Sequence, residues 1–442
     1  MASSSRLRPN QKKEEKLKVK KLVATVAVFG AGFAAFSTGS TVQAEPVSNS
    51  YVVVGSDTIE DVLNALANGT AITGSTVRVT QNGATLGSFD ATGGPSVITK
   101  PGGVRFSRPN GSSEGFRALS ASIYEGATSD NNLFTSGTFQ PALNASSTGG
   151  ASMPLGLRNI NIFGQVDIAR SSSGTPASAV LNETTGTIAR IPFARDAFGL
   201  AFTPALATSV CNAGQDSDAG AGCSPFLTNA QLKSIFESTT SGGGSITIGS
   251  TAVTIKGVMP QKGSGTRTDF VSKIGTTDTL SDASVAAGAS RLEQEHDAST
   301  LSGVEVAPMS ASRWIAMKNG ASFDRSGTAV LGGISTDGTV PASPVLGTAP
   351  ALTPNTTYYS NSTWGRDCFL FVEKARVTVG NAKYDANLAA LVDPTLNKLA
   401  NTETNGASKA GKVKELFGLL APVTTTVSYY DPKYAGWVGP RS

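Results

Sequence analysis

Apolar residues in this chain come in short bursts bounded by Gly, Ser and Thr, and the bursts alternate between strand and helix spacing. "YVVVG" at 51–55 is the unbroken apolar run of a buried strand. "DTIEDVLNALANG" follows it with Ile59, Val62, Leu63 and Leu66 at helical spacing and stops at Gly69. "NGSSEGFRALSASI" (110–123) and "LTNAQLKSIFES" (227–238) predict two further turn-to-helix units. In the second, Thr228 and Gln231 have capping-box spacing ahead of Leu232, Ile235 and Phe236. "SITIGSTAVTIKGV" predicts a hairpin, and helical spacing returns near the C-terminus in "YDANLAALVDPTLNKLAN" and "ASKAGKVKELFGLL". No internal repeat of fixed period is visible.

Two longer stretches suggest how these units are joined. "TIARIPFARDAFGLAF" (187–202) is apolar-rich and extended, with breaks expected at Pro192 and at a turn over Asp196 to Gly199. "VEVAPMSASRWIAMKNG" (304–320) is a second candidate crossing, and the segment between the two reads as an inserted domain. Residues 321–365 are rich in Gly, Ser, Thr and Pro with few apolar periods, and are expected to form an elaborated surface loop.

The first 44 residues do not belong to this pattern. A basic stretch ends in Lys18, Lys20 and Lys21, the apolar run "LVATVAVFGAGFAAF" follows, and Val42 and Ala44 offer small residues for cleavage. This is the layout of an export signal, and the run is shorter than the roughly 20 residues that span a bilayer. The segment holds eight of the 36 Lys and Arg and two of the 32 Asp and Glu, leaving 28 against 30. The basic character therefore belongs to the signal, and bulk charge gives no support for nucleic-acid binding. The remainder is too long for one small core and is expected to form two domains, or one domain with large insertions, exported and soluble. Cys211 and Cys223 bracket a short loop and are candidates for a local disulfide, while Cys368 is left as a buried thiol. No cysteine stands near the end of the apolar run, so a lipid anchor is not expected.

Four stretches share one chemistry: "GSDT" (55–58), "NGSSEG" (110–115), "ARSSSG" (169–174) and "KGSGTR" (262–267). The first turn of a helix leaves backbone N–H groups unpaired and carries partial positive charge, so Gly and hydroxyl residues there let an oxyanion approach and be bonded. Each stretch alone is also what a helix N-cap looks like. Together, with Arg170 and Arg267 inside two of them, they suit a tetrahedral oxyanion held by neutral donors and one or two cations. Enzyme chemistry finds less support. "GSSEG" matches a hydrolase nucleophile elbow at Ser113, yet the chain's single histidine, His296, lies in the charged "RLEQEHDAST" and is expected at the surface. "GASKAGKV" follows a P-loop as far as Lys412, but Val413 stands where a hydroxyl belongs. No cysteine and histidine spacing suits zinc, and no cofactor is expected.

The order of "VVVGSDT", "NGSSEG", "VDIARSS", "IPFARDAFGLAF", "LTNAQLKSIF" and "KGSGTRTDF" resembles the substrate-binding proteins of phosphate ABC importers over residues 50–318. The resemblance implies an α/β, two-lobed periplasmic-binding-protein-like fold of type II, with lobes joined by two hinge crossings. It implies lobe 1 from 45–195 plus 306–442 and lobe 2 from 196–305. It also implies a monomer that is not an enzyme, that captures inorganic phosphate or a related oxyanion in the periplasm, outside the cell or at its surface, and that meets an ABC importer permease. Carried over by position, Ser56, Asp57, Thr58, Ser112, Ser113, Arg170, Ser171 and Ser172 face the ligand from lobe 1. Ser264, Gly265 and Thr266 face it from lobe 2, and Arg267, one residue past that loop, is a further candidate that faces either the ligand or solvent. Two positions depart: Ser172 stands where the family has a proton-accepting aspartate, and Pro260 stands where many members have an arginine. Asp57, a carboxylate in place of a hydroxyl, could supply the acceptor, and Arg170 or Arg267 the cation. A secreted protein reusing the fold for scavenging or adhesion, and a serine hydrolase at Ser113, are the alternatives.

Overall fold

The computed structural model describes residues 50–432 apart from 73–74, 92–95, 124–137, 140–159, 177, 219–221, 239, 241–242, 262, 277–290 and 294. The expected export signal lies outside the described residues. A single long strand, Ile188–Phe202, organises what is described. Along its first part it pairs antiparallel with Gly365–Glu373, and along its last part with Glu305–Ser310 and Val330–Ser335. The register shifts between Pro192 and Ala194, because a proline has no N–H to give the ladder and a bulge absorbs the loss. The sheet then runs outward on one side through Ile168–Ser171 and Tyr51–Gly55 to Leu86–Ser88. On the other it passes through Glu305–Ser310 and Thr251–Pro260 to Gly244–Ile248. Tyr51–Gly55 is parallel to both of its neighbours, so the fold is mixed α/β.

The expected turn at Asp196 to Gly199 does not form. Asp196 and Ala197 stay in register with Arg366 and Gly365, and Phe198 and Gly199 with Ser310 and Met309. Asp and Gly are turn formers by local preference, but here tertiary pairing of buried residues overrides it. The second crossing is a strand, Glu305–Ser310, that passes directly into the helix Ala311–Lys318, capped by Ser310.

The cores divide along the long strand. Tyr51 and Val53 pack on one face of the first part of the sheet with Ile191, Phe193, Leu370 and the C-terminal helices, while Val52 and Val54 pack on the other with Phe106, Phe116 and Ile188. This is the period-two alternation of a strand covered on both faces. From Ala197 onward the strand belongs to a second core, in which Phe198, Leu200 and Phe202 meet Leu232, Ile255 and Phe270. The change of core falls at Arg195 and Asp196.

The 321–365 stretch is not merely a surface loop. Val330–Ser335 pairs with the long strand and with Phe226–Thr228, and Ile334, Tyr358, Tyr359 and Trp364 enter the second core. Its few apolar residues are large enough to carry burial singly, and Gly332 lies so close to Phe202 and the Pro225 carbonyl that no Cβ would fit. Other expectations hold: the helices Glu60–Asn68, Ser112–Ile123 and Asn229–Glu237 form, the last with its capping box. The hairpin strands Gly244–Ile248 and Thr251–Pro260 pair antiparallel. Cys211 and Cys223 are bonded and Cys368 is a buried thiol. Among the described residues no helix is long and apolar enough to cross a membrane.

Trp364 stacks edge-on against Phe198 and tilts against Phe270. Trp364→Ala is expected to cost about 3–5 kcal/mol, seen as a lower urea midpoint at unchanged slope.

Candidate functional site

The first wall of the site forms where three chain segments end side by side. Gly55 closes its strand with φ +123, and a Cβ there would collide with the Arg170 carbonyl, so only glycine lets the two strands finish this close. The Ser56 N–H then bonds that carbonyl at 3.0 Å, and its hydroxyl donates to Ser172 Oγ at 3.0 Å. Ser112, the first residue of its helix, accepts from the Ser172 N–H at 3.1 Å and lies 3.5 Å from the Ser172 hydroxyl. Ser56, Ser112 and Ser172 are each 0% exposed.

The second wall is the start of the helix Gly265–Lys273. Ser264 caps it, accepting from the Arg267 N–H at 3.1 Å. The walls are closed on each other. The Ser113 N–H donates to the Gly263 carbonyl at 3.1 Å, Gln261 Nε2 to Asn110 Oδ1 at 2.7 Å, and Ser173 Oγ to Asp269 Oδ1 at 3.0 Å. A Cβ on Gly265 would overlap Ser112 Oγ and lie 2.9 Å from Ser172 Oγ. Two helix N-termini therefore face one cluster of buried hydroxyls, an arrangement rich in donors.

Beside this cluster lies a second one that spans both walls. Thr58 and Thr266 have hydroxyls 3.3 Å apart, and both donate to Glu295 Oε1, at 2.9 and 2.6 Å. Arg366 donates to Thr266 Oγ1 at 2.7 Å and to Thr58 Oγ1 at 3.3 Å, and is itself held by Asp196 Oδ2 through Nε and Nη2 at 3.0 and 2.8 Å. Asp196 Oδ1 accepts from the Ser312 N–H at 3.0 Å. His296 Nε2 stands 3.0 Å from Thr58 Oγ1 and 3.1 Å from Glu295 Oε1, while Nδ1 accepts from the Ser310 N–H at 3.2 Å. With Nδ1 accepting, the proton sits on Nε2.

The buried carboxylates differ in character. Burial pushes the Asp57 carboxyl up, against the pull of Arg313 3.5 Å away. Burial also works to raise Glu295, but the adjacent His296, by hydrogen bond and electrostatics, and hydrogen bonds from Ser264 and Thr266 outweigh it and bring the carboxyl down to about 2. Asp57 Oδ2 and Glu295 Oε2 are both buried and without a hydrogen-bond partner among the described residues.

The structure brings together Ser56, Thr58, Ser112, Ser172, Ser264, Gly265 and Thr266, with Ser113 contributing its backbone. It places three others differently. Arg170 does not face the cleft: its guanidinium donates to the Ser56 and Phe89 carbonyls and pairs with Glu60 at 3.2 Å, so its charge is spent within its own wall. Ser171 turns back to bond the Ser173 carbonyl and N–H. Arg267 is buried, and its Nη1 donates to the Pro260 carbonyl. Asp57 does not cap its helix by its side chain; its backbone carbonyl accepts from the Glu60 N–H instead.

His296 is not at the surface either. It is 4% exposed, with φ +63, in a turn that delivers its ring and the Glu295 carboxylate to Thr58. With Nε2 protonated, its one lone pair is on Nδ1 and is taken up by the Ser310 N–H, so it is not free to act as a base for Ser113. Sequence reasoning missed Asp196, Gln261, Glu295 and Arg366. The available signal was the dipeptide Arg-Asp, which occurs in both long strands, at 195–196 and 366–367.

No family model matches the chain, and no curated protein matches it. Among solved structures, an ABC-type phosphate transport receptor from Vibrio cholerae is 14% identical, with a TM-score of 0.39 over 85% of this chain and 100% of that one. PstS from Borrelia burgdorferi is 13% identical, with a TM-score of 0.33 over 85% and 100%. A DING protein is 12% identical, with a TM-score of 0.33 over 58% and 77%. At this level the likeness assigns neither ligand nor role, and the geometry of the site has to carry both.

Asp196→Ala leaves Arg366 buried without its counter-charge and is expected to cost about 3–5 kcal/mol in chemical denaturation. Glu295 gives a pH test. A carboxyl held below its ordinary value contributes stability that is present above about 4.5 and lost as pH falls toward about 2. The thermal midpoint of the protein should therefore exceed that of Glu295→Gln most near neutral pH, and the gap should shrink through that acid window.

Proposed function

We propose that this chain is an exported solute-binding protein that encloses a phosphate-like oxyanion between its two α/β bodies and delivers it to an ABC importer permease. The carrying observation is the buried convergence of Ser56, Ser112 and Ser172 with the capped helix start at Ser264, Gly265 and Thr266. Hydroxyls and backbone N–H groups from two segments of the sheet and two helix ends suit a tetrahedral anion and stabilise its charge. The order of the sequence motifs supports the same assignment.

The cation missing at Pro260 is supplied in this reading by Arg366, which touches the threonines of both walls. Asp57 is the proton acceptor. It is buried, its Oδ2 is unpartnered among the described residues, and burial raises its affinity for a proton. A protonated phosphate can donate to it, whereas sulfate at neutral pH cannot and is repelled. No bond is broken; binding consists of closure of the two bodies about the crossings and desolvation of the anion.

Titration calorimetry with phosphate, sulfate, molybdate and a sugar phosphate tests the proposal. Phosphate is expected to bind and sulfate to be rejected; no heat with any of the four contradicts it. Gly265→Ala, whose methyl would overlap Ser112 Oγ in the closed form, is expected to weaken phosphate binding about tenfold or more. Unchanged affinity would place the ligand elsewhere.

A further inference from the structure

Both threonine protons in the cluster that spans the walls point at one oxygen, and the reason is directional. Arg366 has donors only, so Thr266 Oγ1 accepts from it and its own proton must go outward, to Glu295 Oε1 at 2.6 Å. Thr58 Oγ1 likewise faces Arg366 Nη2 and the protonated His296 Nε2, and sends its proton to the same Oε1 at 2.9 Å. Asp196 fixes the guanidinium and the Ser310 N–H fixes the imidazole, so neither hydroxyl is free to reverse. The result is a preset pocket for one anionic oxygen, built from residues of both walls.

The chain fills that pocket itself. Glu295 reaches it from a turn whose next residue, His296, has φ +63. A bulky residue in that region is strained and persists only where its surroundings impose it. Only Oε1 is engaged, while Oε2 has no partner among the described residues although buried.

We propose that Glu295 is an internal competitor for the oxyanion: its Oε1 holds the position of one ligand oxygen, and binding requires that it yield the Thr58 and Thr266 hydroxyls. This rests on the oxyanion reading of the cleft. Two anionic oxygens cannot share the same pair of protons without strong repulsion in a buried site. Glu295 therefore sets an affinity lower than the donors alone would give, and it does so for any oxyanion, protonated or not. The low proton affinity of Glu295 agrees, since a carboxyl held down to about 2 is a poor acceptor for a ligand proton.

The test is calorimetry with phosphate and with sulfate on the full protein and on Glu295→Gln and Glu295→Ala, each checked for an intact thermal transition. Both variants are expected to bind phosphate about tenfold or more tighter, with sulfate gaining by a similar factor. Phosphate heat in the variants but none in the unaltered protein also supports the proposal. Equal or weaker phosphate binding by folded variants, including a loss confined to phosphate, overturns it and leaves the oxyanion reading standing. No heat from any of the three proteins with either anion overturns both.

Discussion

Two Arg-Asp dipeptides run antiparallel to each other, residues 195–196 against 366–367, and the closed site depends on how they pair. Register sets Arg195 opposite Asp367 and Asp196 opposite Arg366, so each cation finds its carboxylate across the ladder, at 2.8 Å in both pairs. Because successive side chains in a strand alternate, the pairs lie on opposite faces. Arg195 is turned to the Tyr359 carbonyl and Arg366 to the threonines of the cleft. Charges as deeply buried as Asp196 and Arg366 are tolerated only when paired and fully bonded. The pairing sits where the long strand passes from one core to the other, so it ties the junction of the cores to the donors of the site.

From that junction the rest follows by short-range chemistry. Asp196 takes the Ser312 N–H at the head of the helix that follows the second crossing, coupling both crossings to one carboxylate. Arg366, immobilised by Asp196, orients the threonine hydroxyls, and these converge on Glu295. Asp57 and Glu295 are both buried, yet their environments push their proton affinities apart. Asp57 faces one guanidinium at 3.5 Å, whereas Glu295 collects several hydrogen bonds. Environments that separate two carboxylates in this way commonly separate their roles.

Much of this was legible in the sequence. "GSDT", "NGSSEG" and "GSGT" announced themselves because glycine at a close approach and hydroxyls at a helix start are local chemistry, readable from neighbours in the chain. Arg170 was misread because its partners, Glu60 and the Phe89 carbonyl, are distant in sequence, and only the fold determines which way a guanidinium turns. The turn expected at Asp196 to Gly199 followed sound local preferences that a ladder partner overrode. Glu295 and His296 stand in a run of charged residues that looks solvated; their burial is decided by Thr58, more than two hundred residues earlier. Residues 321–365 hid a core strand because glycine and single aromatics replace the apolar periods by which strands are recognised.

The buried hydroxyls at the two helix starts are proposed as an oxyanion site. A crystal structure grown with arsenate, located by its anomalous scattering, tests it most directly. One arsenate is expected among Ser56, Ser112, Ser172, Gly265 and Thr266, with an oxygen on the Thr58 and Thr266 hydroxyls and the Glu295 carboxylate displaced from them. Arsenate bound only elsewhere, with those hydroxyls still bonded to one another and to Glu295, would contradict it.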